Sequence, residues 1–183
     1  MQFYNSPQRY GAIAKLLHWL TVVLVVLAWG LGTFGDDLPR GAQSAGLFVH
    51  MSTGLTILTL LVIRVIWRTT DPPPPPELTP LGNRVVLVGK ITHFALYLLL
   101  AATPIAGIVL QFARGNAVPL FGVLEIASPW VRDRAFAGSV REIHQTLANA
   151  VMILGGLHSA AALVHHWVFR DRTLERMLPG VSR

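Results

Sequence analysis

His144-Gln145-Thr146-Leu147-Ala148-Asn149-Ala150-Val151-Met152-Ile153-Leu154-Gly155-Gly156-Leu157-His158 sets two histidines at the ends of a mostly apolar stretch. They are fourteen residues apart. Fourteen residues is nearly a whole number of helical turns, so both imidazoles fall on about the same face, about 21 Å apart along the axis. That distance can put one ligand near each surface of a hydrocarbon core about 30 Å thick. Partners must then come from other segments at matching depths.

The 183 residues are 52% hydrophobic and only 13% charged, with a mean hydropathy of +0.52. A soluble domain usually carries about 25% charged residues. Four apolar runs account for the difference: Ile13–Phe34, Gly46–Trp67, Ile91–Phe112 and Leu147–Phe169. Each approaches or exceeds the roughly 20 residues needed to span a bilayer. In lipid such segments are helices, because a helix satisfies its own backbone hydrogen bonds. The first run is too long for a signal-peptide core, lacks a small-x-small cleavage site and carries His18 and Trp19 near its start. It is therefore a span. Short to medium connections predict an up-down-up-down bundle. The expected fold is an all-α membrane protein with four transmembrane helices, residues 1–183 forming a single integral domain.

The absence of cysteine excludes disulfides, thiolate ligands, iron–sulfur clusters and covalent haem attachment through C-x-x-C-H. The net charge of +6 could suggest nucleic acid, but the basic residues flank the spans. Topogenic charge is the better reading. With the N-terminus inside, the inner side takes Arg9, Lys15, Arg64, Arg68, Arg84, Lys90, Arg170, Arg172, Arg176 and Arg183. The outer side takes Arg40, Arg114, Arg132, Arg134 and Arg141. Ten against five puts both termini in the cytoplasm.

Gly35–Ala45 is short, so the first two helices are antiparallel neighbours. Pro72–Pro76 is five consecutive prolines, an extended polyproline II spacer along the inner surface. The longest connection, Ala113–Glu142, mixes Phe121, Leu124, Ile126 and Trp130 with Arg132, Asp133 and Arg134. It predicts a short amphipathic helix at the outer interface. Arg170–Arg183 reads as a polar cytoplasmic tail. No internal repeat is visible.

Six of the seven histidines sort by depth. His50 begins the second span and His144 just precedes the fourth, both near the outer surface. His18 and His93 begin the first and third spans near the inner surface, and His158 lies deep in the fourth. His165 is near the inner end of the fourth span, with His166 beside it on another face. The outer pair is His50 with His144. On the inner side His158 could face His18 or His93, and spacing does not choose between them. A lone histidine is more often a hydrogen-bonded core residue, but ionisable groups within spans are costly and mark function. A zinc site needs about four converging ligands. Histidines in pairs at two depths instead fit the two axial positions of haem iron, which then has no open position and suits electron transfer.

Gly155 lies three turns after His144, Gly32 fourteen residues after His18, and Gly54 one turn after His50. Glycine there allows close approach of a flat macrocycle, although ordinary helix packing is as good a reading. Arg64 lies fourteen residues after His50, on the same side at the inner depth. An inner-haem propionate would suit its planar guanidinium; snorkelling to headgroups is the rival.

These residues resemble the bacterial cytochrome b561 family. The similarity is carried by Leu17-His18-Trp19, His50-Met51-Ser52-Thr53-Gly54, Arg114-Gly115-Asn116 and His144-Gln145-Thr146-Leu147-Ala148-Asn149. It is strongest in Gly156-Leu157-His158-Ser159-Ala160-Ala161-Ala162-Leu163-Val164-His165-His166, followed by Arg176-Met177-Leu178-Pro179. The resemblance implies a bacterial inner-membrane protein with four spans, two b haems and electron exchange with ubiquinone. By analogy with the cytochrome b subunits of formate dehydrogenases and hydrogenases, it implies His50 and His144 on the outer haem, and His18 and His158 on the inner. It further implies oxidation of superoxide at the periplasmic face and reduction of ubiquinone, the activity of a superoxide:ubiquinone oxidoreductase.

Superoxide is a small anion, and a positive funnel raises the on-rate of an anion. Arg114, Arg132, Arg134 and Arg141 form the expected funnel, partly balanced by Glu125, Asp133 and Glu142. For the quinone, His93, His165, Arg68 and Lys90 are the candidates by depth. The rival function is a haem-bearing membrane anchor that passes electrons from a partner dehydrogenase to quinone. A third is a histidine-lined proton or metal transporter.

Overall fold

A computed structural model describes residues 2–77 and 82–180 of the chain. Arg183, counted above among the inner charges, lies outside the described residues. Four helices carry the fold: α1 (Ala12–Phe34), α2 (Arg40–Thr70), α3 (Asn83–Ala113) and α4 (Arg134–Val164). The last continues as a π-helical turn over His165–Phe169. All four are long and apolar enough to cross a membrane. Each contains the run read from the sequence, and three extend well beyond it. His144, expected just before the fourth span, lies inside α4.

Local chemistry sets the ends. Asp133 caps α4 by accepting a hydrogen bond from the Phe136 backbone N–H at 3.0 Å. At the end of α3, Gly115 is left-handed at φ 72, and the Gly115 and Asn116 N–H groups turn back onto the carbonyls of Phe112 and Gln111. This is a Schellman stop, which needs glycine at that position. Helix α2 ends at Asp71, and the proline run that follows has no N–H to continue it.

The helices run up and down in cyclic order. α1 packs chiefly on α2 and α3 on α4, with α2 against α3 next. The α1–α4 seam is the loosest. There Trp29 donates its indole N–H to Asn149 Oδ1 at 3.0 Å. Large apolar side chains such as Phe94, Leu157 and Ile153 stay exposed along the helices. A soluble protein does not present so much apolar surface; here it faces lipid. The fold is a four-span all-α membrane bundle.

The long third connection holds no amphipathic helix. It folds as an antiparallel hairpin, β1 (Val118–Leu120) with β2 (Leu124–Ile126). Pro119 and two glycines disfavour a helix over these residues. At the turn Phe121 and Gly122 have φ of 54 and 74, the paired left-handed conformation of a tight hairpin. A side chain at Gly122 would meet the Phe48 ring of α2 at 3.3 Å, so glycine lets the hairpin sit down on that helix.

The opposite end carries both terminal segments, and the described part of the polar tail, up to Gly180, packs against the rest of the chain. Arg176 is buried and donates to the carbonyls of Pro7, Gln8 and Pro75, with Glu77 at 3.1 Å. Trp19 donates to Met177 O and Lys15 to Leu178 O, both at 2.9 Å. A buried guanidinium requires that many acceptors. This tie joins the N-terminal segment, the proline loop and the C-terminal segment.

Candidate functional site

Two groups of histidines face each other inside the bundle, one toward the hairpin end and one toward the terminal end. At the hairpin end the His50 and His144 ring centres are 6.1 Å apart. At the terminal end His18 and His158 are 6.4 Å apart, and His93 and His158 5.1 Å. An imidazole nitrogen binds a metal at about 2 Å, so two rings on opposite sides of one iron have centres roughly 6 Å apart. Both His50–His144 and His18–His158 fit that arrangement. His93–His158 is too close for it. Among the described residues no three or more His, Asp or Glu converge as a metal cage, which disfavours the zinc-type reading.

The hairpin-end imidazoles are fixed by backbone. His50 Nδ1 lies 2.9 Å from the Ala28 carbonyl, and His144 Nδ1 lies 2.9 Å from the Thr103 carbonyl. A carbonyl only accepts, so Nδ1 carries the proton and Nε2 keeps its lone pair. That is the tautomer an iron ligand needs. One turn beyond each carbonyl sits a glycine. A Cβ at Gly32 would meet His50 Cε1 at 3.0 Å, and one at Gly107 would meet His144 Cε1 at 3.2 Å. Both contacts are tight enough to displace the ring. Gly32 thus makes room for an imidazole. Gly54 faces Pro104 at 3.9 Å, which is helix packing, and a Cβ on Gly155 would meet nothing within 4 Å.

The terminal end is built differently. Arg64 Nη2 is 3.3 Å from His18 Nδ1, and its guanidinium lies over the Tyr97 ring at 5.5 Å. Arginine only donates, so here the imidazole nitrogen is the acceptor. Trp67, one turn beyond Arg64, has a buried indole N–H without a partner. An unpaired buried donor suits an acceptor such as a carboxylate. The hairpin end fits a b-type haem as it stands. At the terminal end the ring separation fits, but a His18 Nδ1 that accepts from Arg64 leaves the proton on Nε2, so ligation there needs the proton on Nδ1 and Arg64 turned to another acceptor, such as the carboxylate that would also meet the Trp67 N–H.

The other expected residues divide. Arg68 and Lys90 are both exposed. His165 is not in contact with the terminal-end histidines. It bonds Asp171 through Nδ1 and packs edge-on against Phe169. Burial raises the Asp171 carboxyl, but hydrogen bonds from His165 and Thr173 outweigh it and hold the group below the ordinary carboxylate range. Arg170, just before it, is left-handed at φ 55. At the hairpin end Arg114 is part-buried, while Arg132, Arg134 and Arg141 are exposed. None of these four forms an ion pair among the described residues.

The sequence reading passed over Ala28, Thr103 and Gly107. A signal for them exists. Ala28 and Gly32 lie ten and fourteen residues after His18, and Thr103 and Gly107 lie ten and fourteen after His93. Arg64 and His158 each lie fourteen after His50 and His144. The two helix pairs thus share one spacing pattern, invisible as sequence identity.

Residues 9–180 match the family described as Prokaryotic cytochrome b561. Cytochrome b561 homolog 2 of Escherichia coli is 36% identical over 97% of this chain and 95% of its own. Probable superoxide oxidase CybB of Yersinia pestis is 34% identical over 94% of this chain and 97% of its own. Cytochrome b562 of Cereibacter sphaeroides is 27% identical over 92% and 94%.

Proposed function

Because the chain belongs to the prokaryotic cytochrome b561 family, and so carries electrons across a membrane through b-type haem, we propose that it oxidises superoxide at one face and reduces ubiquinone at the other. In this reading residues 1–183 work as one integral domain of the bacterial inner membrane. The terminal end is cytoplasmic, as the ten-to-five excess of Lys and Arg favours. Two b haems are held, one by His50 and His144 and one by His18 and His158. When bound, each haem supplies a one-electron carrier. The observation that carries the reading is the pair of histidine groups about four turns apart along α4, each with ring centres about right for axial ligation.

The chain's own residues do the rest. Arg114, Arg132, Arg134 and Arg141 draw superoxide to the hairpin end, and the name of the Yersinia relative supports that substrate. Ubiquinone is held near His93 and Arg68, with Lys90 at the surface and His165 as a proton-handling group. Arg64 and the Trp67 N–H are donors for a haem propionate. Two superoxide anions each lose one electron and leave as dioxygen. Ubiquinone takes both electrons, with two protons from the cytoplasmic side, and becomes ubiquinol. The test is a reduced-minus-oxidised spectrum with a pyridine haemochrome count, followed by superoxide-driven quinone reduction. Two low-spin haems per chain and quinol formation are expected. One haem, or no quinol, overturns the corresponding half. Co-purification of a soluble dehydrogenase subunit would instead favour the membrane-anchor reading.

A further inference from the structure

The spacing shared by the two helix pairs breaks at one place. His158 on α4 has Arg64 as its counterpart on α2, each fourteen residues after a hairpin-end histidine. The break puts a part-buried cation at the terminal end, 3.3 Å from His18. At the hairpin end the corresponding nitrogens of His50 and His144 meet neutral carbonyls at 2.9 Å.

These second contacts act on an iron in opposite senses. An Nδ1–H bonded to a carbonyl makes the imidazole a stronger donor, which favours ferric iron. A guanidinium against the imidazole disfavours the extra positive charge of ferric iron. The sign holds if Arg64 turns to a propionate, since it then cancels a negative charge that would favour ferric iron. Arg114 is the part-buried cation of the hairpin end. It has no contact with either hairpin-end imidazole among the described residues, and its exposed neighbours Arg132, Arg134 and Arg141 are screened by solvent.

We infer that the charge of Arg64, beside the His18 ring, holds the terminal-end haem at a higher reduction potential than the hairpin-end haem, which favours electron flow from the hairpin end to the terminal end. This rests on the two-haem reading and names the residue that biases the direction proposed there. Each superoxide anion gives one electron at the hairpin end and becomes dioxygen. Two such electrons with two protons convert one quinone to quinol at the terminal end.

The experiment is an optical redox titration of the haem-loaded protein in lipid nanodiscs, with His18→Ala and His50→Ala to identify the two components. The high-potential component is expected to vanish in His18→Ala. Arg64→Gln should lower that component and leave the other in place, and Arg64→Lys should keep most of the gap. The inference is overturned if the high-potential component vanishes in His50→Ala, or if Arg64→Gln moves the other component or neither. Where a ligand variant does not accumulate, the Arg64→Gln shift in the two-component curve decides. A single component with one haem per chain is a different failure, that of the two-haem reading itself.

Discussion

The two histidine groups differ in what holds them. At the hairpin end, both rings are seated the same way: on a backbone carbonyl, with a glycine one turn away. Backbone cannot rotate out of the way, so the ring orientation and the tautomer are set by the fold. At the terminal end three histidines and an arginine share the space, and the contacts run between side chains. Rigid seating is a property of the helix pairs; adjustable chemistry is a property of the end where the pairs differ. One end is built to hold and the other to tune.

The harshest way to break this comparison is to remove a ligand. His144→Ala should leave one haem per chain by pyridine haemochrome count, and His18→Ala likewise. His93→Ala should leave two, with quinol formation slowed by about an order of magnitude or more, as for loss of a positioned proton-handling group. If His93→Ala loses a haem and His18→Ala does not, the terminal-end pair is His93 with His158.

Next comes the seat itself. Gly107→Val puts a branched side chain where even a Cβ would lie 3.2 Å from His144 Cε1. It should weaken haem binding at the hairpin end and leave the terminal end unchanged. Gly138→Val, exposed and with nothing within 4 Å of an added Cβ, is the control. Equal loss in both variants would mean that the glycine seat is irrelevant.

Smaller effects are expected at the rims. Arg141→Ala should lower the superoxide rate a few-fold at low ionic strength, with the difference vanishing at high salt. Stopped-flow measurement at two salt concentrations reads this directly, and a salt-independent rate would remove the steering idea. The smallest effect is at Asp171. Its carboxyl is held below the ordinary range, so its contribution to stability is fully present above about pH 4 and is lost as pH falls through the depressed value. Asp171→Asn should therefore melt lower than the parent at pH 7, with the gap closing on acidification. A gap independent of pH would mean that the His165–Asp171 contact contributes through shape and not charge.

Much of this was legible in the residues. Long apolar runs and the cost of bare backbone in lipid leave helices as the solution, and all four appear where hydropathy puts them. The depths of His50 and His144 followed from counting along those helices. The hairpin did not follow, because Phe121, Leu124, Ile126 and Trp130 mixed with charged residues look amphipathic, and the competing signals, Pro119 with Gly115 and Gly122, were outweighed. Nor did the buried Arg176. A cation in a polar tail looks solvated until three distant segments are seen to aim carbonyls at it. The ring separations that favour His18 over His93 as the proposed partner of His158 are not in the sequence either, since both sit at the same depth on their helices. Backbone acceptors such as Thr103 are marked only by a spacing, ten residues after His93 and four before a glycine, that no side chain announces.

The Arg176 tie bears on how the chain is made. Its acceptors at Pro7, Gln8 and Pro75 and its partner Glu77 emerge from the ribosome long before the arginine does. Asn5 already ties the N-terminal segment to Asp71 and Pro72 at the end of α2, but the Arg176 contacts must wait until the fourth helix has been inserted. Only then can the last segment close over the two earlier ones. The knot is thus a record of completed insertion, and a chain stalled after its third helix would present the quality-control machinery with an open end that the finished molecule hides.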